Sequence, residues 1–262
     1  MKIAISGKGG VGKTLLTSLL SKFFSQSGYS VIAIDADPDA NLAATLGFPD
    51  PDKITPISEM ADLIEERTGA RPGQSAPYFK LNPKVDDIPE KFAAKMDGIR
   101  LMLMGRVKRG GAGCYCPESA LLQTLMSHLL LARNEIIMMD MEAGIEHLGR
   151  GTAKAVDTLI IVVEPGRRSI ETAESIKGLA SEIGLENLAV VGNKVRNESD
   201  RDFIKSNLPG FQFLGFIPYD QAVIEADHAN LSPLESSEQV RASVTEIYNA
   251  LIDSAKSVSL KG

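Results

Sequence analysis

The sequence has no tryptophan and only two cysteines among its 262 residues, Cys114 and Cys116. Their side chains point in different directions in any extended loop, which disfavours a disulfide between them. A fold that depends on disulfide bridges is therefore excluded. Two free thiols are typical of a reducing compartment, and we expect a cytoplasmic protein.

Long apolar runs are also missing. The first residues, Met1 to Ser6, form an apolar stretch that ends at glycines and is too short for the core of a signal peptide. The longest apolar runs, near Leu101 and Leu129, are far shorter than a membrane span. We therefore expect no membrane partner.

Positive charge is in deficit, because 28 Lys and Arg stand against 34 Asp and Glu and leave a net charge of −6. An acidic chain repels nucleic acid and anionic lipid unless a local basic patch overrides the total, and the sequence has no such patch. We therefore expect no nucleic-acid partner. The hydrophobic fraction of 44% is sufficient for a full core and argues against disorder.

Short β-rich runs alternate with helical patterns along most of the chain. This alternation requires right-handed crossovers and predicts an α/β fold with a doubly wound, mostly parallel sheet. The predicted strands are Lys2–Ser6, Val31–Asp35, Ile99–Met104, Glu135–Asp140, Thr158–Glu164, Leu188–Asn193 and Phe213–Ile217. The predicted helices are Lys13–Ser27, Pro117–Ala132, Arg168–Ile183, Asp200–Asn207 and Ser237–Ser257.

Residues 49–98 interrupt the alternation. The stretch is rich in Pro, Asp and Lys and has one helical piece near Ser58–Arg67. We expect a single domain over residues 1–262 with an insertion at about 49–98. The insertion is either a lid or partner surface on the ligand side of the sheet, or a plain surface excursion.

The residues after the first predicted strand carry the strongest chemical signal. Gly7 to Thr14 fits the spacing G-x-x-x-x-G-K-[ST] of a P-loop, with a strand before it and a helix after it. Glycines let backbone N–H groups converge on phosphates, and the helix N-terminus adds positive potential. We predict that Lys13 reaches the β- and γ-phosphates of ATP and that the Thr14 hydroxyl ligates magnesium. The predicted nucleotide contacts are Gly9, Gly10, Val11, Gly12, Lys13, Thr14 and Leu15.

Acidic residues follow two further predicted strands. Asp35, Asp37 and Asp39 lie at the end of the second, and Asp140 ends the fourth, where a Walker B aspartate is expected. Carboxylates beside a phosphate loop are costly without a cation, and Mg²⁺ is the natural one. We predict that Asp140 holds Mg²⁺ through water.

The loop K-G-G-x-G-K-T resembles that of the deviant Walker A family, which includes nitrogenase iron protein, MinD and ParA. The resemblance implies that Lys8 crosses a homodimer interface to the partner's nucleotide, in the manner of an arginine finger. It also implies that Asp35 lies near the metal and that Asp37 orients or activates the attacking water. The segment that ends at Gly144 resembles switch II, whose glycine N–H swings toward the γ-phosphate.

The same resemblance extends to the base of the nucleotide. Asn193 and Lys194 close a later predicted strand and match the pair that reads adenine in this family. Pro218 matches a loop that packs on the base. Adenine as the preferred base therefore rests on resemblance and not on spacing.

The two cysteines precede Pro117, which suits the first position of a helix. The start of a helix favours the thiolate, the form that binds metals. Two thiolates cannot complete a tetrahedral site, but two subunits related by a twofold axis would supply four sulfurs. The alternative is a pair of inert free thiols.

The runs Gly110–Glu118 and Met139–Thr152 resemble the CooC-type ATPases, which mature carbon monoxide dehydrogenase by assisting nickel insertion. The resemblance spans nearly the whole chain. It implies an ATP-hydrolysing homodimer that binds Ni²⁺ or Zn²⁺ through Cys114 and Cys116 and serves carbon monoxide dehydrogenase as its client nickel enzyme. Three alternatives stay open: nickel insertion into acetyl-CoA synthase, a MinD- or ParA-like positioning ATPase, and an iron–sulfur reductase.

Overall fold

The computed structural model describes residues 1–37, 39–72, 78–105, 116–133, 135–145, 148, 150–228 and 233–259. The strands in these ranges are β1 (Lys2–Gly7), β2 (Val31–Asp35), β3 (Ala94–Met96), β4 (Ile99–Leu103), β5 (Ile136–Asp140), β6 (Thr158–Val163), β7 (Leu188–Val195) and β8 (Gln212–Pro218). They form one sheet in the order β3-β4-β2-β5-β1-β6-β7-β8. The β3–β4 pair is antiparallel and the other pairs are parallel, which confirms the predicted fold class.

Helices connect the strands. They are α1 (Lys13–Gln26), α2 (Leu42–Leu46), α3 (Ala61–Thr68), α4 (Ile88–Phe92), α5 (Pro117–Ala132), α6 (Arg150–Ala153), α7 (Arg167–Ile183), α8 (Glu198–Asn207), α9 (Gln221–His228), α10 (Pro233–Ser236) and α11 (Glu238–Ser259). Two 3₁₀ turns lie at Pro51–Lys53 and Ile57–Glu59. Within the described residues, no helix has the length and apolar content that a membrane crossing requires.

Both faces of the sheet are covered by apolar side chains. Along β2, Ile32 and Ile34 belong to one core, whereas Val31 and Ala33 belong to the core on the opposite face. Successive strand residues point to opposite faces, so a strand buried on both sides is apolar at nearly every position before its end. The first core contains residues of α5 and α7, and the second contains residues of α1 and α11.

All seven predicted strands are present, and β3 is an additional strand that was not predicted. This strand has three residues, too few for a periodic pattern. The predicted helix at Asp200 begins instead at Glu198, because the Asn197 side chain caps it by accepting a hydrogen bond from the Asp200 N–H at 3.0 Å.

Residues 49–98 contribute to the core. Five of their buried apolar side chains belong to the core on the same face of the sheet as α5, and they are Ile57, Leu63, Ile64, Val85 and Ile88. Helix α3 contacts α5 directly. The segment is thus packed into the domain through its apolar residues.

An ion-pair network fixes this segment to the edge of the sheet opposite the phosphate loop. Arg133 donates through Nε to Glu135 Oε2 at 2.6 Å and also pairs with Glu90 of α4. Arg100 of β4 bonds Glu90 Oε1 at 2.7 Å and pairs with Glu135. The hydrogen bonds from Arg133 lower the pKa of both Glu90 and Glu135 below the usual glutamate value. Each of the four side chains therefore has two partners of opposite charge.

We expect Glu135→Gln to lower the free energy of unfolding by about 1–2 kcal/mol, because Arg100 and Arg133 lose a shared, mostly buried anion. Because folding lowers the pKa of Glu135, its ionised carboxylate stabilises the folded state at pH values above the ordinary glutamate pKa of about 4.3. This contribution is lost as pH falls. Urea unfolding at neutral and acidic pH measures both effects. Glu198→Gln, at an exposed pair with Arg201, is the control and should change stability by less than about 0.5 kcal/mol. An equal loss in both variants would contradict this account.

Candidate nucleotide site

The phosphate loop connects β1 to α1 at the carboxyl edge of the sheet, and two of its glycines are sterically required. At Gly7, with φ of +148°, a Cβ would lie 2.4 Å from the Val162 carbonyl oxygen. At Gly12, with φ of +100°, a Cβ would lie 2.1 Å from Asn193 Nδ2. Both positions combine a backbone conformation that favours glycine with the close approach of a neighbouring strand end. The P-loop is therefore held tightly against β6 and β7.

Two side chains at the end of β7 bond carbonyl groups of the phosphate loop. Asn193 Nδ2 donates to the Val11 carbonyl oxygen at 2.8 Å, and Lys194 Nζ donates to the Gly10 carbonyl oxygen at 2.6 Å. The C=O and N–H of one planar peptide point in opposite directions, so fixing the Val11 carbonyl outward turns the Gly12 N–H inward. This clamp, formed by Asn193 and Lys194, prepares the loop for an anion.

Both clamp residues were predicted to lie at the adenine base. Asn193 is 4% exposed, and its Oδ1 accepts a hydrogen bond from the Lys194 N–H at 2.8 Å. Lys194 has a φ of +57°, which is uncommon for a residue other than glycine and occurs often at functional sites. Pro218, at the end of β8, pairs with Val195 of β7. The contacts of these three residues with a base stay a prediction.

The side chains predicted to meet the phosphates and the metal start from the first turn of α1. Lys13 is 7% exposed, and Leu15 is partly buried beside it. The Thr14 side chain lies close enough to Asp140 to oppose the rise in the pKa of that carboxyl, and the Thr17 hydroxyl of the next turn lies 3.5 Å from Asp140 Oδ1. Gly9 and Gly10 are exposed at the tip of the loop. The geometry thus brings Lys13, Thr14 and Asp140 together, and their contacts with phosphate and metal stay a prediction.

Two carboxylates are buried beneath the loop. Asp35 and Asp140 occupy paired positions on β2 and β5 and are 0% and 1% exposed. Burial raises the pKa of Asp35 to about 6 and that of Asp140 to about 7, and their mutual repulsion adds to the shift at Asp140. Asp35 accepts hydrogen bonds from the N–H groups of Asp37 at 3.1 Å and Leu42 at 2.9 Å.

The donor set at this position fits Mg²⁺. Asp140 Oδ2 is buried and has no hydrogen-bond partner among the described residues, so it can bond a metal-bound water. Carboxylate and hydroxyl oxygens are the ligands that Mg²⁺ prefers, and its charge favours the ionised form of both aspartates. Thr14, Asp35 and Asp140 therefore form a candidate magnesium site.

Asp37 lies beside this pair and is half-buried. Its Oδ1 accepts a hydrogen bond from the Asp39 N–H at 2.9 Å, which fixes the turn after β2. Pro38 lies outside the described residues. The role of Asp37 toward the attacking water stays a prediction.

Switch II is bonded to the strand that precedes the phosphate loop. The Gly144 N–H donates to the Glu142 carbonyl oxygen at 2.7 Å. The Ser6 hydroxyl lies 2.8 Å from the Gly144 carbonyl oxygen and 3.0 Å from that of Glu142. The Gly144 N–H must leave Glu142 before it can reach a γ-phosphate. Ser6 was not predicted as a functional residue, because only the pairing of strands in the folded sheet brings its hydroxyl to switch II.

Lys8 pairs with an acidic residue that was not predicted from the sequence. Its Nζ lies 3.0 Å from Glu164 Oε1, and Lys194 Nζ lies 3.3 Å from Glu164 Oε2. Glu164 follows β6, the strand next to β1. An acidic residue at the end of a strand is a signal in the sequence, but its distance to Lys8 depends on the strand order.

The predicted cargo-metal site is described only in part. Cys116 precedes α5 at its N-cap position, and its thiol donates a hydrogen bond to Ser119 Oγ at 3.1 Å. Cys114 lies outside the described residues. In the part of the chain that the structure describes, no three His, Cys, Asp or Glu residues form a group suited to a metal ion. A site that joins both cysteines across two subunits stays a prediction.

Comparison with known proteins identifies relatives of the whole chain. Residues 2–234 match the family profile described as the CobQ/CobB/MinD/ParA nucleotide binding domain. The chain is 48% identical over 255 residues to the carbon monoxide dehydrogenase accessory protein CooC of Rhodospirillum rubrum, covering 97% of each. It is 46% identical over 255 residues to an uncharacterized ATP-binding protein of Methanocaldococcus jannaschii, covering 96% of this chain and 98% of that one.

Solved structures share the fold. The MinC:MinD cell division complex of Aquifex aeolicus gives a TM-score of 0.68 at 22% identity and 96% coverage of both chains. MinD of Pyrococcus horikoshii, solved with Mg-ADP, gives a TM-score of 0.63 at 18% identity and 95% coverage of both chains. These identities support the fold alone. Together with the family match, they confirm the predicted P-loop ATPase of the MinD type.

Lys13→Ala should lower nucleotide affinity and ATP turnover by about 100-fold or more, because it removes a buried cation from the predicted β,γ-phosphate position. Calorimetric titration with ADP and a phosphate-release assay measure the two quantities. Lys53→Ala, at an exposed pair with Asp50, is the control and should change neither. Near-normal turnover by Lys13→Ala would remove the P-loop assignment.

The raised pKa values predict how Mg-nucleotide binding depends on pH. Because burial raises the pKa of Asp35 and Asp140, the folded, ligand-free protein binds protons that the unfolded chain releases. The free energy of unfolding of the ligand-free protein therefore falls as pH rises through the folded pKa values of about 6 and about 7. Mg²⁺ binds the ionised form and reverses this effect. The increase in melting temperature caused by Mg-ADP should therefore grow from about pH 5.5 to about pH 7.5. ADP with a chelator is the control, and an increase that does not vary with pH would contradict the magnesium assignment.

Proposed function

The chain belongs to the CobQ/CobB/MinD/ParA nucleotide-binding family and is an ATPase, and on that premise we propose that it acts as a nucleotide-dependent homodimer that assists nickel insertion into carbon monoxide dehydrogenase. The observation that carries the proposal is the 48% identity, over 97% of both chains, with a protein named as an accessory of that enzyme. Septum-site MinD relatives are 26–27% identical to this chain.

In the proposed hydrolytic step, the chain binds and orients the phosphates at the carboxyl edge of the sheet. Bound Mg-ATP supplies the phosphoryl group and a cation next to Asp140. Lys13 neutralises charge on the β- and γ-phosphates, and Asp37 orients the attacking water. Lys8 of each protomer acts on the partner's site, where it stabilises the charge of the transition state. Hydrolysis thereby requires the dimer.

Switch II provides a route from the nucleotide to the cysteines. Helix α6 begins at Arg150, six residues after Gly144 along the chain, and α6 contacts α5, whose N-cap residue is Cys116. When the Gly144 N–H leaves Glu142 for the γ-phosphate, the Ser6 hydroxyl can keep one of its two carbonyl partners. The change at switch II is then transmitted through packed helices to the metal-binding loop.

The proposed cargo is Ni²⁺, held by Cys114 and Cys116 of both protomers. Cys116 is a free, partly buried thiol at the N-cap position of α5. Four thiolates form a closed tetrahedral set that also accepts Zn²⁺. Release on hydrolysis would deliver the ion to the client.

Two observations favour this function over the alternatives. An iron–sulfur reductase of the nitrogenase iron protein type takes cluster ligands from two separate loops, whereas this sequence has two cysteines, both within residues 114–116. A positioning ATPase has weaker support, from septum-site MinD relatives at 26–27% identity and from eight solved structures at 14–22% identity. Acetyl-CoA synthase is the alternative nickel client.

We expect one Ni²⁺ or Zn²⁺ per dimer, bound more tightly as pH rises because the thiols must lose protons. Cys114→Ser or Cys116→Ser should abolish tight metal binding and weaken metal-driven dimerisation, yet change ADP affinity less than about twofold, since neither residue belongs to the P-loop. Metal analysis of sedimenting fractions gives the stoichiometry. A full equivalent of metal on the monomer would refute the shared site, as would tight binding by the double serine variant.

The client is identified by activation of purified nickel-free enzymes. Carbon monoxide dehydrogenase should gain CO-oxidising activity at limiting Ni²⁺ when this protein and ATP are added together. Cys116→Ser is the matched control, because it retains the nucleotide site and should give no gain. Activation of acetyl-CoA synthase instead would identify the other client, and no ATP-dependent gain with either enzyme would contradict the proposal.

A further inference from the structure

We infer that Glu164 is a positioning residue that holds Lys8 within its own protomer and so restrains ATP-dependent dimerisation. The inference rests on the proposed role of Lys8 in the partner's site. It adds a residue that neither the P-loop motif nor the switch motifs include.

The pair is set by the sheet. Strands β1 and β6 are parallel neighbours, with Gly7 opposite Val162, so Lys8 and Glu164 leave adjacent strand ends at the same edge. Lys8 Nζ lies 3.0 Å from Glu164 Oε1, and the two side chains are 36% and 24% exposed. Burial alone would raise the pKa of Glu164, but the contacts with Lys8 and Lys194 together lower it below the usual glutamate value, so the carboxylate is ionised at neutral pH. The contact is therefore a charged pair that solvent can reach.

A hydrogen bond of its own backbone fixes the position of Glu164. The Glu164 N–H donates to Ser169 Oγ at 3.0 Å, and Ser169 is 2% exposed. This bond closes the turn between β6 and α7. Glu164 is thus held on a rigid part of the fold, whereas Lys8 belongs to the loop that must receive the nucleotide.

Glu164 does not lose all its partners when Lys8 departs. Its second oxygen, Oε2, lies 3.3 Å from Lys194 Nζ, which also donates to the Gly10 carbonyl oxygen. A partly buried carboxylate that lost its sole cation would incur a large desolvation penalty. Because Lys194 remains, the departure of Lys8 costs little, and the contact can act as a reversible latch.

The two positions of Lys8 are mutually exclusive. One ammonium group cannot bond Glu164 of its own chain and lie at the partner's phosphates at the same time. A dimer must therefore break two latches, one in each protomer. A partly exposed ion pair changes an equilibrium by about threefold, so two latches weaken dimerisation by about tenfold.

The latch is tested first in the nucleotide-free monomer, by the rate at which an amine-acylating reagent modifies Lys8, with Lys53 as the internal reference. Glu164→Gln should raise the Lys8 rate about threefold. Glu198→Gln, which removes the same charge from the surface pair with Arg201, should leave the rate unchanged. Lys194→Ala should not raise the Lys8 modification rate, because the Glu164 carboxylate still pairs with Lys8. An unchanged rate in Glu164→Gln would refute the latch, and so would an equal rise in Lys194→Ala, which would indicate a loosened loop.

The second measurement is the dimer dissociation constant by sedimentation in the non-hydrolysable analogue AMP-PNP. Glu164→Gln should lower this constant about tenfold relative to wild type and Glu198→Gln, while ADP affinity changes less than about twofold. A faster Lys8 rate with an unchanged dissociation constant would refute the restraint on dimerisation while leaving the proposed function intact. A wild-type protein that stays monomeric in the analogue, with the Lys8 rate still raised in Glu164→Gln, would contradict the proposed dimer instead.

Discussion

The burial of Asp35 and Asp140 side by side is the constraint on which the rest of the site depends. Parallel pairing of β2 with β5 places both carboxylates at one edge of the sheet, and pairing of β5 with β1 places the phosphate loop over them. Two adjacent anions in a buried position repel each other and lose hydration. The ligand-free protein therefore binds protons there at a higher pH than an exposed aspartate would, and a divalent cation bound with phosphate would balance the charge. Binding of Mg-nucleotide would thus neutralise two carboxylates that the fold buries without a cation.

Much of this arrangement could be predicted from the sequence. The run Gly7–Thr14 has a required spacing between a strand and a helix, and apolar strands alternating with helices have few other packings. Resemblance then supplied Lys8, Asp37 and Gly144. The fold, the family and the ATPase activity are confirmed by the comparisons, whereas the individual roles of these residues stay predictions.

Ser6 and Glu164 could not be found in the same way. Each acts on a residue far away in the sequence, and each contact exists because particular strands are neighbours in the sheet. A sequence pattern indicates that strands are present, but it does not give their order. The three-residue strand β3 and the core contribution of residues 49–98 were missed for a related reason, since burial there comes from tertiary packing.

The clamp on the phosphate loop has a consequence for biosynthesis. Gly10 and Val11 are made at the beginning of the chain, but the side chains that hold their carbonyl groups, Asn193 and Lys194, are made more than 180 residues later. A nascent chain that has emerged from the ribosome through β6 already carries the entire P-loop and Walker B sequence. Its loop nevertheless lacks these two hydrogen bonds until β7 follows. The phosphate loop thus acquires this clamp late in translation, after most strands of the sheet have been made.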